Sequence, residues 1–196
     1  MVRECNERPL ESIPLPGNPQ GTPDSSAYLG SLGLAQSVDP SEVLARSSGR
    51  RATDTVEVVA ELTVDQDTGH AFCSFFVRSG KHVQGADDAI DSLHVGDYLG
   101  AEPDTGNHHD PHSRILLTID GAHVGFIPAH LTEFLSRSEE LNGESAVVVV
   151  EHLGARDGPT HFRLLCHLVA PWLDGQSPFS GTAFESLVGD DPEAGF

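Results

Sequence analysis

Lysine is almost missing from this sequence, with Lys81 the only one among 196 residues. Eleven Lys and Arg stand against thirty Asp and Glu, a formal charge of -19 with histidines neutral. Self-repulsion with phosphate therefore argues against binding along an extended duplex. Such acidity still permits a small site that captures one terminal nucleotide, because that needs only a local cationic pocket. Long apolar runs are missing too. No stretch approaches the roughly 18 consecutive apolar residues of a membrane span, so a soluble chain with no membrane partner is expected. The first residues lack the apolar core and small-residue cleavage site of a secretory signal. Cysteine is limited to Cys5, Cys73 and Cys166, an odd number with no C-x-x-C pair, which argues against a disulfide framework. Cys73 and Cys166 lie in apolar runs and read as reduced core residues, and the expected compartment is cytoplasmic. Catalytic signatures are also absent. There is no G-x-S-x-G elbow, no phosphate-cradling glycine loop with its lysine, and no cysteine beside a plausible histidine partner.

What is present is a chain with the length and the 38% hydrophobic content of one globular domain plus an appendage. Residues 1–24 carry five prolines and no hydrophobic period, which predicts an extended or disordered arm. Two short helices are expected next. The second starts at Asp39-Pro40-Ser41-Glu42, with Asp39 as cap, Pro40 at the first helical position and Glu42 completing a capping box. From Thr55 the texture becomes β-branched. Residues 55–62 and 71–77 read as a hairpin around a turn at 65–69. One or two helical turns are expected over 86–94 and a short strand over 98–102. Residues 113–119 and 122–127 form a second hairpin, whose Asp120-Gly121 supplies the positive φ that a tight turn requires. Pro128 opens an amphipathic helix with Leu131, Phe134 and Leu135 on one face. Residues 146–150 and 162–169 are two further strands, apolar enough to be buried, and Trp172 is expected to close the barrel at its C-terminal edge. Short strands with Gly/Asp turns and one late helix give a fold class of mainly β with short helices: a small OB-like or SH3-like β-barrel with an N-terminal helical extension. The expected organisation is residues 1–52 as arm and helices, 53–173 as barrel, and 174–196 as a flexible acidic tail.

Three groups of residues in the barrel carry a resemblance. They are Val95-Gly96-Asp97-Tyr98-Leu99, then Glu102-Pro103-Asp104 with Asn107-His108-His109-Asp110, and finally Val124-Gly125-Phe126-Ile127-Pro128. In order and spacing, over about a hundred residues, they resemble the HIRAN family. The resemblance implies an OB-like barrel that captures the 3′ end of single-stranded DNA, a recognition module and not an enzyme, with no cofactor. An aromatic pair following an arginine would stack the terminal base, and the Asn and Asp of an N-x-x-D loop would bond the last nucleotide and its 3′-hydroxyl. By position, Asn107 and Asp110 match the loop pair, and Lys81, His82 and Gly85 match the Arg, first Tyr and following Gly. The departures are Val83 in place of the second tyrosine, His82 in place of the first, and His109 in place of the aromatic before the aspartate. Each lost platform removes about 1–3 kcal/mol of stacking per base, although a histidine still stacks and, when protonated, meets phosphate.

The candidate nucleic-acid residues are therefore Arg78 and Lys81 for phosphate, His82 and His109 for stacking or phosphate, and Asn107 and Asp110 for the terminal nucleotide. The positive residues are grouped, Arg46, Arg50 and Arg51, then Arg78 and Lys81, with Arg114 on a later strand. Simpler explanations compete. Asx residues stabilise turns through their own backbone, and charges at a strand rim are commonly just solvated. His108, His109, Asp110 and His112 invite a metal-dependent hydrolase, but they lack the i, i+4 histidine pair flanking a glutamate on a helix. The functional reading is a DNA-binding targeting or accessory protein in repair or defence. The alternative is a protein-interaction module that has lost nucleic-acid binding.

Overall fold

The computed structural model describes residues 25–47, 59, 62–78 and 80–172. Two short helices come first, α1 (Ser25–Ser31) and α2 (Pro40–Ser47). Asp39 caps α2 as the sequence predicts, its Oδ1 accepting the Ser41 amide at 2.8 Å and so satisfying one of the first-turn N–H groups that have no helical partner. Glu42 does not complete a box by any hydrogen bond among the described residues; its carboxylate lies 3.8 Å from Arg46, one turn along the same helix.

The sheet begins with β1 (Thr63–Asp65) and β2 (His70–Phe76). Asp65 builds the turn between them, accepting the amides of Asp67 and Thr68 through Oδ1. The predicted hairpin is thus present with its first strand at 63–65; of the expected strand 55–62, residues 55–58, 60 and 61 lie outside the described residues. A single 3-10 turn (Gly80–His82) leads to α3 (Ala86–Asp91), then β3 (Tyr98–Pro103), β4 (Arg114–Leu117) and β5 (His123–Phe126). The β4–β5 turn is a three-residue loop in which Gly121, at φ 82°, takes the left-handed position and Gly121 N–H donates to the Thr118 carbonyl at 2.9 Å. That is a type I turn with a bulge, not the two-residue form. Then come α4 (Ala129–Asn142), β6 (Val147–Leu153) and β7 (Leu164–Pro171), with a 3-10 turn at Thr160–Phe162 before the last strand.

All seven strands form one antiparallel sheet in the order β1-β2-β7-β6-β3-β4-β5. The mainly β expectation holds; the barrel does not follow from it, because the sheet is open. Among the described residues one isolated bridge spans the opening, where Arg78, just beyond β2, and Phe126 of β5 exchange both peptide hydrogen bonds at 2.9 Å. Neither segment extends that contact into a ladder: β5 ends at Phe126, two residues before Pro128, which has no N–H to donate, and the chain after Arg78 turns away at Gly80.

Two apolar layers flank this sheet. On the inner face the register sets Cys73, Leu168, Val148 and Leu99 directly side by side, under Leu131, Phe134 and Leu135 of α4. On the outer face Phe76 and Leu165 join Phe162 and Leu32, with Tyr28, Leu34 and Val43 packed around them, so the N-terminal helices dock on the sheet. Phe75 and Phe76 point to opposite faces and both are buried, so neither offers a ring to a ligand; each buried side chain of this size stabilises by about 1.5–3 kcal/mol. Trp172 closes no barrel, since the sheet is open; its ring lies 6.1 Å from Phe134 and its amide donates to the Gly69 carbonyl. Cys73 and Cys166 are free, buried thiols. Burial pushes Cys73 up to about 12 and Cys166 upward as well, which keeps both protonated and unreactive.

An ion-pair group ties α3 to the β6–β7 connection. Arg163 Nη2 donates to Asp91 at 2.6 Å, and Arg156 reaches Asp88 at 2.8 Å and also Asp91. The Arg163 hydrogen bond foremost holds the Asp91 carboxyl below its ordinary range. A depressed folded pKa contributes stability that is complete above the unfolded value near about 4 and is lost as pH falls through the folded value. Asp91→Asn should therefore lower the urea midpoint at pH 7 and pH 5, and the deficit relative to wild type should shrink below about pH 4. Urea titrations at pH 7, 5 and 3 check this; a deficit unchanged at pH 3 would assign the loss to packing.

Candidate nucleic-acid interface

The loop between β3 and β4 is built by its own aspartate and asparagine side chains. Asp104 Oδ1 accepts the Gly106 amide at 3.2 Å, Asn107 Oδ1 accepts those of His109 and Asp110 at 3.0 and 3.1 Å, and Asp110 Oδ1 accepts that of His112 at 2.9 Å. Three successive Asx turns are local geometry that these residue types adopt readily, so the turn-forming explanation is satisfied in full. It does not exhaust the groups. The Asn107 amide nitrogen and the second Asp110 oxygen have no hydrogen bond among the described residues, and His108, His109 and His112 are exposed. Among the described residues no set of three or more His, Cys, Asp or Glu is arranged to hold a metal ion.

The second half of the predicted site follows β2. Arg78 is half-buried, with its backbone paired to Phe126; its side chain lines a slot of about 20 Å³ together with Pro128 and His130. Lys81 and His82 lie on the 3-10 turn, His82 exposed. Gly85 has φ 81° and opens α3, which gives a backbone reason for glycine at that motif position. Phe126 is opposite Ile115 in the β4–β5 ladder, so Arg78 lies two strand spacings, roughly 10 Å, from the strand that leaves the Asx loop. From Arg78 the chain runs antiparallel to β5, past Val124 at Gly80. It therefore carries Lys81 and His82 away from the loop. The structure brings Arg78 near the base of the loop and sets the other two farther along the same side.

The remaining cations are largely committed elsewhere. Arg46 pairs with Glu151 at 3.1 Å, Arg114 with Glu139 at 2.7 Å, and Arg156 and Arg163 with the α3 aspartates. Arg114, which the sequence groups with the positive residues, is 6% exposed and has no surface to offer a phosphate. Arg137 is exposed on α4. Sequence reasoning missed one polar group. Ser74 on β2, Glu151 on β6 and His167 on β7 meet on the outer face, the Ser74 hydroxyl donating to Glu151 and lying 3.4 Å from His167 Nδ1. Its signal was one polar residue inside each of three apolar runs. The serine touches the histidine and the glutamate separately, and no hydrogen bond joins those two among the described residues, so this is not a nucleophile–base–acid relay.

The fold and these groups define a mainly β, seven-stranded antiparallel module with an Asx-built loop at one end. It is similar to two solved structures. One is a structural-genomics protein from Lactobacillus plantarum, 18% identical, with TM-score 0.42, covering 52% of this chain and 97% of that one. The other is the HIRAN domain of human HLTF, 14% identical, with TM-score 0.40, covering 53% of this chain and 79% of that one. Both likenesses are distant. No family model and no curated protein matches the chain. No helix among the described residues is long and apolar enough to cross a membrane.

Proposed function

We propose that this chain is a recognition module, not an enzyme, that binds the end of single-stranded or 3′-ended DNA and targets a partner in repair or defence. The observation that carries this reading is the loop Asn107–Asp110. Its Asx bonds fix the backbone while an amide nitrogen, a carboxylate oxygen and the His109 imidazole remain for a ligand. A fixed carboxylate oxygen accepts a terminal hydroxyl and repels a terminal phosphate, which distinguishes a free 3′ end from an internal linkage. Arg78 and Lys81 supply phosphate charge, and His82 and His109 supply stacking or phosphate contact.

Fluorescence anisotropy with a short strand ending in 3′-hydroxyl, against the same strand ending in 3′-phosphate, tests this at two salt concentrations. Wild type should prefer the hydroxyl. Asp110→Asn retains an acceptor for the His112 amide but removes the charge, and it should weaken hydroxyl-end binding roughly 10- to 100-fold, the range of one hydrogen bond to a charged group. Absence of binding to either strand at low salt overturns the reading. The pairing of four described arginines with carboxylates supports a second reading, a protein-interaction module without nucleic-acid binding.

A further inference from the structure

The outer face of the sheet is covered by α1 and α2 at one end only. Away from them the register sets Phe72, Val169 and Val147 in one row, and His167, Val149 and Tyr98 in the next. Tyr98 is 68% exposed and Val147 43%, while Phe72, Val149, His167 and Val169 are half-buried. Gly100, two residues from Tyr98 on the same face, leaves the strand bare, since a Cβ there would meet only the Leu117 carbonyl, at 3.9 Å. At the α2 border lies a pocket of about 210 Å³ whose lining includes Phe72, Ser74, His167, Glu42 and Arg46. A contiguous exposed apolar patch rimmed by polar groups marks an interaction site more often than chance.

Charge selects the occupant. Four carboxylates border the patch: Glu42, Asp65 at the β1 end, Glu102 two residues beyond Gly100, and Glu151 beneath Ser74. Against them, among the described residues, stands one guanidinium, Arg46, already 3.1 Å from Glu151 and 3.8 Å from Glu42. Phosphate is repelled here, which excludes the DNA of the proposed end site. A second copy of the chain would bring the same acids face to face across a two-fold axis. We infer that this face docks a protein partner presenting arginine or lysine among aliphatic side chains, with one basic side chain entering the pocket beside α2. The stem of that side chain lies on the Phe72 ring and its charge faces the exposed carboxylate of Glu42 at the pocket rim; the aliphatic neighbours cover Val147, Val169 and Tyr98. This inference is independent of the DNA-end reading and uses the opposite, acidic chemistry.

The test uses the full chain and three synthetic hexapeptides, alternating Arg/Val, Arg/Ser and Glu/Val, with binding followed by NMR shifts and calorimetry. The Arg/Val peptide should bind, shift residues of the Phe72–Val147 row, and bind more weakly as salt rises. Val147→Ser with Tyr98→Ser, both exposed and so harmless to folding, should lower affinity roughly tenfold, as should Glu42→Gln. Asp110→Asn should change nothing, which separates this face from the end site. Equal binding of Arg/Ser and Arg/Val, or no shift on this face at millimolar Arg/Val, overturns the proposal. So does concentration-dependent dimerisation that Val147→Ser abolishes.

Discussion

Gly125→Ala is expected to lower stability by roughly 2–4 kcal/mol, or about 5–15 °C in Tm for a chain of this size. Gly125 has φ 143°, and an added Cβ would collide with a Val77 methyl and sit 2.8 Å from the Arg78 carbonyl oxygen. Backbone strain and overlap act together, and they act where Arg78, just beyond β2, bridges to Phe126 of β5 across the opening of the sheet. The obstructing atom on one side is a carbonyl that is itself hydrogen-bonded, so it has nowhere to move without breaking the bridge. Gly121→Ala is the control. Its φ is 82° but nothing lies within 4 Å of the new Cβ, so it should cost about 1 kcal/mol from backbone strain alone. Thermal and urea unfolding of both variants separates the two effects. Equal losses would mean that the Val77–Arg78 strand yields, and that the bridge contributes little. If Gly125→Ala is the costlier, the glycine of the Val124–Pro128 motif is explained by the approach of a neighbouring backbone, not by contact with a ligand.

That glycine also indicates how much of the fold was legible. Asp120-Gly121 announced its hairpin because a turn is decided by the residues inside it, and Leu131, Phe134 and Leu135 announced α4 because one helix face is decided within three turns. Openness of the sheet was not legible, since it depends on where β5 stops relative to a strand fifty residues earlier. Docking of α1 and α2 was equally hidden: Tyr28 and Leu32 show apolar character, but only the pairing of β2 with β7 creates the Phe76–Leu165 surface that they cover. The candidate site divides in the same way. Asn107 and Asp110 are readable as loop builders, and their amide contacts bear that out. The direction in which the chain carries Lys81 and His82 from Arg78 is set by pairing with β5, which no local pattern encodes. Arg114 is the sharpest case. In the sequence it is a cation on a strand; its meaning resides in Glu139, on a helix that the strand register alone brings alongside.

Glu139→Ala should accordingly be among the costliest single changes at a partly exposed position, roughly 2–3 kcal/mol. Arg114 is 6% exposed. Its Nη2 meets Glu139 Oε2 at 2.7 Å and Ser136 Oγ at 3.3 Å, and its Nε has no hydrogen-bond partner among the described residues. Removing the carboxylate leaves a guanidinium in a site that already under-satisfies it, and the Ser136 hydroxyl cannot replace a counter-charge. Glu139 retains 24% side-chain exposure, so water reaches the vacated place, and the loss falls below the 3–5 kcal/mol of a fully enclosed pair. The double change Arg114→Met with Glu139→Leu removes both charges and restores apolar volume, and it should return to within about 1 kcal/mol of wild type. Urea midpoints with unchanged slopes measure these differences. Recovery in the double variant would show that the pair is needed only because each half is present. A double variant as unstable as Glu139→Ala would instead mean that the guanidinium's geometry anchors the β4 end of the Asx loop, whose neighbouring residue Ser113 donates its amide to the Asp110 carbonyl at 3.1 Å. In that event the same substitutions should also weaken the DNA-end binding proposed for the Asp110 loop.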